Sequence, residues 1–422
     1  MIRRDEYQSG LRLVTEQVPG VRSVALGLWV AVGSRDEPPR IAGGSHFLEH
    51  LLFKGTKTRT AKDIAEAFDA VGGELNAFTA KESTTFYARV LDRDVPMAVE
   101  FLTDMLQNSL IRKSDVDAER QVILEEINMH EDSPDELVHD LFGETLWSGH
   151  PLGRPVLGSV ETIRAATRDQ IRRFWKARYL PRNVVVVAAG NLEHDEVARL
   201  VESHLETGKK VTKGSARLRP DGGAPAPSGE VAVKRRQTEQ AHICFGTAGL
   251  AQGDPRRFAF QVVNDAIGGG MASRLFQEVR EKRGLVYSIY SYHSMYAETG
   301  MFRVYAGTTP ARAKEVLEIT TRELDDVAEK GLTPDELDRA KGHLKGSLVL
   351  SLEDTGSRMS RLGRSEVSQG EILTVDEVIE RIDAVTAEDT QEVAEQVLGQ
   401  PRSLAVIGPF KKNAFADVGR LK

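Results

Sequence analysis

The chain contains one α+β pattern twice, and this duplication limits what it can fold into. The first half opens with an apolar, strand-like run at 24–33, followed by a turn and a helix that contains His46. The second half opens with a similar run at 241–248, and a turn at 253–255 leads to an apolar helix at 258–267. The two copies are offset by about 215 residues, so we predict two homologous α+β units in one chain.

A segment rich in glycine and proline separates the two copies. Residues 220–229 have the sequence PDGGAPAPSG, which is typical of a solvated linker. A chain of 422 residues also exceeds one typical domain. We therefore predict an N-terminal domain at 1–212, a linker at 213–229 and a homologous C-terminal domain at 230–422.

The composition disfavours some partners and some cellular locations for this protein. The net charge of −7 disfavours a nucleic-acid partner, because such proteins concentrate positive charge. Cys244 is the only cysteine, which excludes an intrachain disulfide, and its apolar neighbours predict a buried, inert thiol. No stretch reaches the roughly 20 apolar residues that span a bilayer, and the first residues lack the apolar core of a secretion signal. We expect a cytoplasmic protein without membrane contact.

The helix near the start of the first copy carries the pattern His46-x-x-Glu49-His50. On a helix, two histidines four positions apart project from the same face. Two neutral imidazoles in this arrangement can bind one Zn²⁺, and the adjacent Glu49 can accept a proton from water. The simpler alternative is a helix with two surface histidines. The corresponding helix of the second copy, at 258–267, has no histidine, so only the first half could hold a metal.

A catalytic zinc ion needs a third protein ligand, and a downstream helix predicted from Ser114 to about His130 offers candidates. At about 100° per residue, Glu126 falls about 60° and Glu119 about 40° from the centre of the apolar face. Glu125 falls about 160° away, on the opposite face. Because carboxylates on an apolar face are costly unless they are paired or bound to a cation, we predict Glu126 as the ligand and Glu125 as a solvated neighbour.

Other residues of this helix leave alternatives open. Glu119 is predicted to orient the water or a ligating histidine, and Glu119 and Glu126 alike could instead pair with an arginine. His130 also falls on the apolar face, where a hydrogen-bonded core or interface histidine is favoured over a fourth ligand, because catalytic zinc keeps one position open.

These residues resemble a known family. His46-x-x-Glu49-His50 followed by Glu126 is similar to the inverted-motif zinc peptidases of the pitrilysin and mitochondrial-processing-peptidase type. The surrounding sequence GGSHFLEHLLFKGT at 43–56, LNAFT at 75–79 and PLGR at 151–154 is similar as well. The likeness extends from about Leu11 to Leu404, and the length matches bacterial two-domain members that work as paired chains.

The resemblance implies a fold and an assembly. It implies two α/β sandwich units per chain, each a mixed, mostly antiparallel sheet packed by helices, of the LuxS/MPP-like metallopeptidase type. Two chains would close like a clamshell around a chamber, so a homodimer is expected. Each active site would be completed by the partner chain.

The resemblance also assigns residues of both halves to the substrate. Arg280 and Tyr287 correspond to an arginine–tyrosine pair that contacts the substrate backbone and stabilises an oxyanion. A glycine-rich turn at 268–270 precedes them, and the absence of a following lysine disfavours a phosphate loop. Asn76, Ala77 and Phe78 are expected on an edge strand near the metal, where an extended peptide can add as a further strand.

Taken with the resemblance, the sequence predicts a zinc metalloendopeptidase with one Zn²⁺ per chain. His46, His50 and Glu126 would hold the metal, Glu49 would act as the general base, and peptides or unfolded polypeptides would be substrates. The alternative is a non-catalytic core or assembly subunit, or a peptide-binding partner chain, of the same family. The complete set of ligands and base favours the enzyme.

Overall fold

The computed structural model describes residues 1–205, 207–208, 223–368 and 371–416. Most of the predicted linker, at 213–222, and the four residues before it, at 209–212, lie outside the described residues. Among the described residues, no helix combines the length and the apolar character needed to cross a membrane.

Groups of strands and groups of helices follow one another along both halves of the chain. The strands are β1 Ile2–Glu6, β2 Arg12–Gln17, β3 Ser23–Val30, β4 Glu74–Thr79, β5 Thr84–Leu91, β6 Val184–Gly190, β7 Val231–Arg235, β8 Ala241–Gly249, β9 Val286–Met295, β10 Gly300–Thr308 and β11 Ser403–Gly408. The helices are α1 Gly44–Leu52, α2 Ala61–Val71, α3 Val95–Asn108, α4 Lys113–Glu131, α5 Pro134–Leu146, α6 Val160–Ala165, α7 Arg168–Arg178, α8 His194–His204, α9 Arg257–Gly268, α10 Ala313–Lys330, α11 Pro334–Ser351, α12 Thr355–Ser368, α13 Val375–Asp383 and α14 Ala387–Leu398, with a π-helical turn at Phe276–Glu281.

The first sheet has six strands in the order β1-β2-β6-β3-β5-β4. Only β2 and β6 pair in parallel, and every other neighbouring pair is antiparallel. The strand β4 lies at one edge. The structure therefore confirms the predicted mixed, mostly antiparallel sheet.

The second sheet repeats this arrangement. Its order is β7-β11-β8-β10-β9, in which only β7 and β11 are parallel. Each of these five strands has a counterpart in the order β2-β6-β3-β5-β4 of the first sheet, and the parallel pair falls at the same place. The helix α9 follows β8 as α1 follows β3. The duplication predicted from the sequence is confirmed.

The chain forms two compact units that are not contiguous in sequence. One comprises Met1–Asn128, Pro155–Pro220 and Ser351–Ile372, and the other comprises Met129–Arg154, Asp221–Leu350 and Leu373–Lys422. The unit of the first sheet thus includes α12, from the second half of the sequence, and the unit of the second sheet includes α5, from the first half. The predicted division at 213–229 separates the two homologous halves along the sequence. The two compact units group the residues differently, because each contains segments from both halves.

Each sheet is covered by helices on both faces. On one face of the first sheet, α1, α3, α4 and α7 contribute to the main apolar core. On the other face, Met359 and Leu362 of α12 are buried with Trp29, Val185 and Val187 of the sheet. The α5 helix covers the equivalent face of the second sheet, where Cys244 is fully buried as predicted. The predicted α/β sandwich architecture is therefore confirmed for both units.

Candidate metal centre

The apolar residues of α1 determine which way its polar residues point. Phe47, Leu48, Leu51 and Leu52 are fully buried in the core of the first unit. Their spacing fixes one face of the helix against the sheet. The half-buried His46, Glu49 and His50 therefore lie on the remaining face.

The start of α1 is held by a carboxylate from the preceding loop. The N-cap residue is Gly43, at φ +88°, and a Cβ there would meet the Leu157 carbonyl oxygen at 2.5 Å. A capping side chain is therefore excluded at this position. Glu37, which is buried, instead accepts hydrogen bonds from the amides of Gly43 (2.8 Å) and Ser45 (2.6 Å). These contacts fix the first turn directly before His46.

The third element of the site is α4, whose range confirms the helix predicted from the sequence. Ile123 and Ile127 are buried, Glu119 is 5% exposed, and Glu125 is exposed on the opposite face. Glu126 lies at the border of the apolar face, with a side chain that is 36% exposed. The helical periodicity thus distinguished Glu126 from its neighbour correctly.

The structure brings His46, His50 and Glu126 together. One potential ligand atom from each lies within 4.8 Å of the others, and this is the only such group of three among the described residues. The two Nε2 atoms are 3.3 Å apart, and the Glu126 carboxylate oxygens lie 3.6 Å from His46 Nε2 and 3.5 Å from His50 Nε2. Three donor atoms therefore converge on one point.

The surroundings of the two imidazoles fit a metal ion. Glu119 Oε2 lies 3.1 Å from His50 Nδ1 and accepts a hydrogen bond from the Nδ1–H group, which leaves the lone pair of Nε2 directed at the cluster. The other carboxylate oxygen of Glu119 pairs with Lys54 Nζ at 2.7 Å. Burial, together with the neighbouring His50, lowers the pKa of His46 to about 4, so its imidazole is neutral. Two neutral imidazoles and a carboxylate are the donor set of many catalytic zinc sites.

Glu49 lies beside the cluster and has its own hydrogen-bond partner. Its Oε2 accepts a hydrogen bond from the Thr79 hydroxyl at the end of β4. Burial raises the pKa of the Glu49 carboxyl, and the Thr79 hydrogen bond opposes that rise. A carboxylate in this environment binds a proton more readily than one in water does, which suits a group that accepts and returns protons.

The strand that carries Thr79 is the exposed edge of the first sheet. On β4 the amide of Ala77 donates to the side-chain oxygen of Asn76 at 2.8 Å, so β5 does not use this amide. The ring of Phe78 packs edge-on against Trp29, with centroids 5.6 Å apart, on the face covered by α12. The structure thus places the predicted residues 76–78 on an edge strand, with the side chain of Phe78 on the opposite face from Thr79.

The remaining predicted residues belong to the second unit. Arg280 lies in the π-helical turn, and its guanidinium carbon lies 5.6 Å from the ring centroid of Tyr287 on β9, which is 79% exposed. The structure therefore brings this pair together. His130 Nε2 lies 3.0 Å from Asp140 Oδ2, which agrees with the predicted hydrogen-bonded histidine.

Comparison with known proteins gives the family. The family model described as "Insulinase (Peptidase family M16)" matches residues 12–160, and the model described as "Peptidase M16 inactive domain" matches residues 165–344. The chain belongs to peptidase family M16. The first model covers His46, Glu49, His50 and Glu126, and the second covers the half in which the equivalent helix has no histidine.

Similar M16 proteins occur in several bacteria. An "uncharacterized zinc protease" of Streptomyces coelicolor is 54% identical over 413 residues, which cover 97% of this chain and 90% of the relative. The "uncharacterized zinc protease YmxG" of Bacillus subtilis is 42% identical over 409 residues, which cover 97% and 98%. The crystal structure of a protease from Helicobacter pylori has the same fold, with a TM-score of 0.88 at 21% identity, and covers 97% of this chain and 99% of that one.

Three residues around the M16 motif were not assigned from the sequence. Glu37 caps the start of α1, Thr79 donates a hydrogen bond to the candidate base Glu49, and Lys54 pairs with Glu119. Lys54 and Thr79 lie within stretches similar to the family, but similarity alone gave them no role. Glu37, six residues before the cap position, is a charged residue just before two prolines, which gave no signal of burial.

Proposed function

We propose that this M16 chain is a zinc-dependent endopeptidase that cleaves extended peptides. The observation that carries the proposal is the convergence of His46, His50 and Glu126 beside the half-buried carboxylate of Glu49. A non-catalytic core subunit has no need of this combination. The names of the similar proteins from Streptomyces and Bacillus support the same activity.

Each residue at the centre has a distinct task in this proposal. His46, His50 and Glu126 would hold one Zn²⁺, whose chemistry there would be to polarise the scissile carbonyl and the attacking water. Glu49 takes a proton from that water and returns it to the leaving amine. Thr79 fixes the direction of the Glu49 carboxylate through its hydroxyl hydrogen bond.

The peptide would bind along the edge of the first sheet. In β4 the outward amide of Ala77 is occupied only by the side chain of Asn76, which can rotate away. An extended peptide can then pair with β4 through main-chain hydrogen bonds, which select for extension more than for sequence. Modest sequence specificity follows from this mode of binding.

Arg280 and Tyr287 complete the proposed site as donors to the oxyanion. A guanidinium and a phenol can both donate to the carbonyl oxygen as it gains negative charge. We propose that these two residues come from the partner subunit of a homodimer, so that each peptide is held by both chains.

The activity is tested by zinc content and cleavage of a mixed peptide library, for wild type beside Glu49→Gln. We expect equal zinc in both proteins and cleavage by the wild type alone, because the amide cannot accept the proton. Glu125→Gln, which removes the same charge from the exposed face of α4, is the matched control and keeps full cleavage. Full activity of Glu49→Gln would refute the assignment of the base, and absence of both zinc and cleavage from the wild type would refute the activity.

The shared site is tested by mixing two inactive variants. Glu49→Gln chains and Tyr287→Phe chains are denatured together and refolded as a mixture. If the pair acts across subunits, each mixed dimer regains one site with a wild-type Glu49 and a wild-type Tyr287. If each chain forms its own site, the mixture stays as inactive as the separate variants.

A further inference from the structure

A basic cleft lies in the first unit, between the start of α4 and the junction of α6 and α7. Its volume is about 700 Å³. The charged side chains that line it are Arg112, Lys113, Arg120, Arg164 and Arg168, with Asp117 and Asp169. The lining therefore has five basic residues against two acidic ones, whereas the whole chain has 56 against 63. This excess of positive charge runs against the composition of the protein.

The acidic residues of the cleft neutralise it only weakly. Asp117 lies 3.6 Å from Arg120, and Asp169 lies 3.7 Å from Arg168, with the two carboxylates 58% and 77% exposed. Exposed pairs at such distances contribute little. Within the described ranges, the side chain of Lys113 makes no hydrogen bond or ion pair. Arg164 interacts electrostatically with the exposed carboxylate of Glu161, three residues earlier, and Arg112 pairs with Asp115 at 3.4 Å.

Two of the arginines are fixed in place by the backbone. Arg120 Nη1 donates to the carbonyl oxygens of Ile163 (2.5 Å) and Ala166 (2.9 Å). Arg168 Nε donates to the carbonyl oxygen of Ile111 at 2.6 Å. Because each guanidinium has five N–H donors, both arginines keep donors in the cleft after these contacts are made.

The backbone at the cleft is strained. Ile111 has φ +42° and is the one non-glycine residue with positive φ in the part of the chain that the structure describes. A β-branched residue in this region is an outlier that costs on the order of 1–3 kcal/mol. The contact with Arg168 stabilises this conformation, which directs the chain from Ile111 into Arg112 and Lys113 at the mouth of the cleft.

Two helix starts add to the positive potential. The first turns of α4, which has 19 residues, and of α7, which has 11 residues, both line the cleft. Helix N-termini carry partial positive charge, which adds to that of the side chains. The cleft is also close to the metal motif, since the guanidinium carbon of Arg120 lies 5.6 Å from the ring centroid of Phe47.

We propose that this cleft binds a small anion of the phosphate class that carries two or more negative charges. Arginine forks match the oxygens of a tetrahedral oxyanion, and the exposed side chains of Lys113 and Arg164 line the same cleft. An anion with a single negative charge would compensate less of the positive charge of the cleft than an anion with two or more. The shared chemistry is the phosphate group, whether it is free or attached to a nucleoside.

The test is calorimetric titration of the full-length protein with pyrophosphate, at an ionic strength held constant with sodium chloride. A titration with AMP tests whether a phosphate attached to a nucleoside binds as well. A titration with succinate tests whether a dicarboxylate without phosphate is sufficient. We expect saturable pyrophosphate binding below about 1 mM and a matching rise in the melting temperature. In the double variant Lys113→Ala/Arg164→Ala we expect affinity to fall by at least about tenfold, since two charge-assisted contacts are lost.

The variants were chosen so that the fold is kept. Lys113 and Arg164 are exposed, whereas Arg120 and Arg168 hold backbone carbonyls and are left unchanged. Lys62→Ala, which removes an exposed cation of α2, is the matched control and should bind pyrophosphate like the wild type. The proposal is supported if the wild type and Lys62→Ala bind pyrophosphate saturably and the double variant binds it at least about tenfold more weakly. Lack of saturable binding, equal binding by the double variant, or equal binding of succinate would each overturn it.

Discussion

Replacing Glu119 by glutamine should weaken zinc binding although Glu119 is not one of the proposed ligands. Its carboxylate accepts a hydrogen bond from His50 Nδ1–H at 3.1 Å and pairs with Lys54 at 2.7 Å, and its side chain is only 7% exposed. A glutamine has one amide oxygen in place of two charged oxygens, so it can serve His50 or Lys54 but not both. The His50 imidazole then loses the partner that fixes its tautomer and the orientation of its ring.

The expected size follows from comparable carboxylate–histidine pairs. Loss of such a partner reduces metal affinity by about 10–100-fold, which corresponds to about 1.4–2.7 kcal/mol. Glutamine keeps the shape and one acceptor, so we expect about tenfold for Glu119→Gln and a value near the upper end for Glu119→Ala. Lys54, whose side chain is 36% exposed, recovers water in either variant and adds little.

The assay is competition for zinc between the protein and a chromophoric chelator, for wild type, Glu119→Gln and Glu125→Gln. The control removes the same charge from the same helix, but from its exposed face. Chemical unfolding of the metal-free proteins shows separately whether either variant loses stability. Equal zinc affinity of Glu119→Gln and wild type would refute the argument that Glu119 acts through His50.

Three further outcomes follow from the structure. Gly43→Ala should destabilise the metal-free protein by more than about 1 kcal/mol. Alanine is strained at positive φ, and its Cβ would meet the Leu157 carbonyl oxygen. An unchanged unfolding midpoint would contradict this expectation. Thr79→Val should leave zinc content unchanged and lower peptide turnover by about tenfold, because the Glu49 carboxylate loses its hydrogen-bond donor; turnover equal to that of the wild type would show that the hydroxyl has no such role. Burial raises the pKa of Cys244 to about 12, so this thiol should resist alkylation at pH 8 in the native protein and react once it is unfolded, as mass spectrometry would show.

The sequence predicted best those features that depend on local periodicity. The bounds predicted for the helix with Glu126 agree with α4, and the same periodicity correctly placed Glu125 in solvent. The strand at 24–33 was also expected, but β3 ends at Val30. Helical and strand spacing report which residues share a face, and together with the histidine motif this predicted the three residues whose donor atoms converge at the candidate metal centre.

Contacts between distant segments could not be predicted in this way. The hydrogen bond from Thr79 to Glu49 joins a strand end to a helix 30 residues earlier, and its geometry exists only once β4 packs against α1. The capping of α1 by Glu37 likewise depends on the path of a loop. Amphipathicity shows that a helix buries one face, but it does not indicate which surface that face packs against. The packing of α5 and α12 on their sheets could therefore not be predicted from the sequence.

The position of α12 has a consequence for how the protein folds as it is synthesised. The face of the first sheet that contains Trp29 and Val187 is complete when about half the chain has been made, yet the helix that covers it lies at Thr355–Ser368. Until those residues leave the ribosome, this apolar face has no native cover, and contacts so distant in sequence form slowly. A fragment that ends at the linker would therefore lack part of its own core, and the two homologous halves should reach their native state together, late in translation.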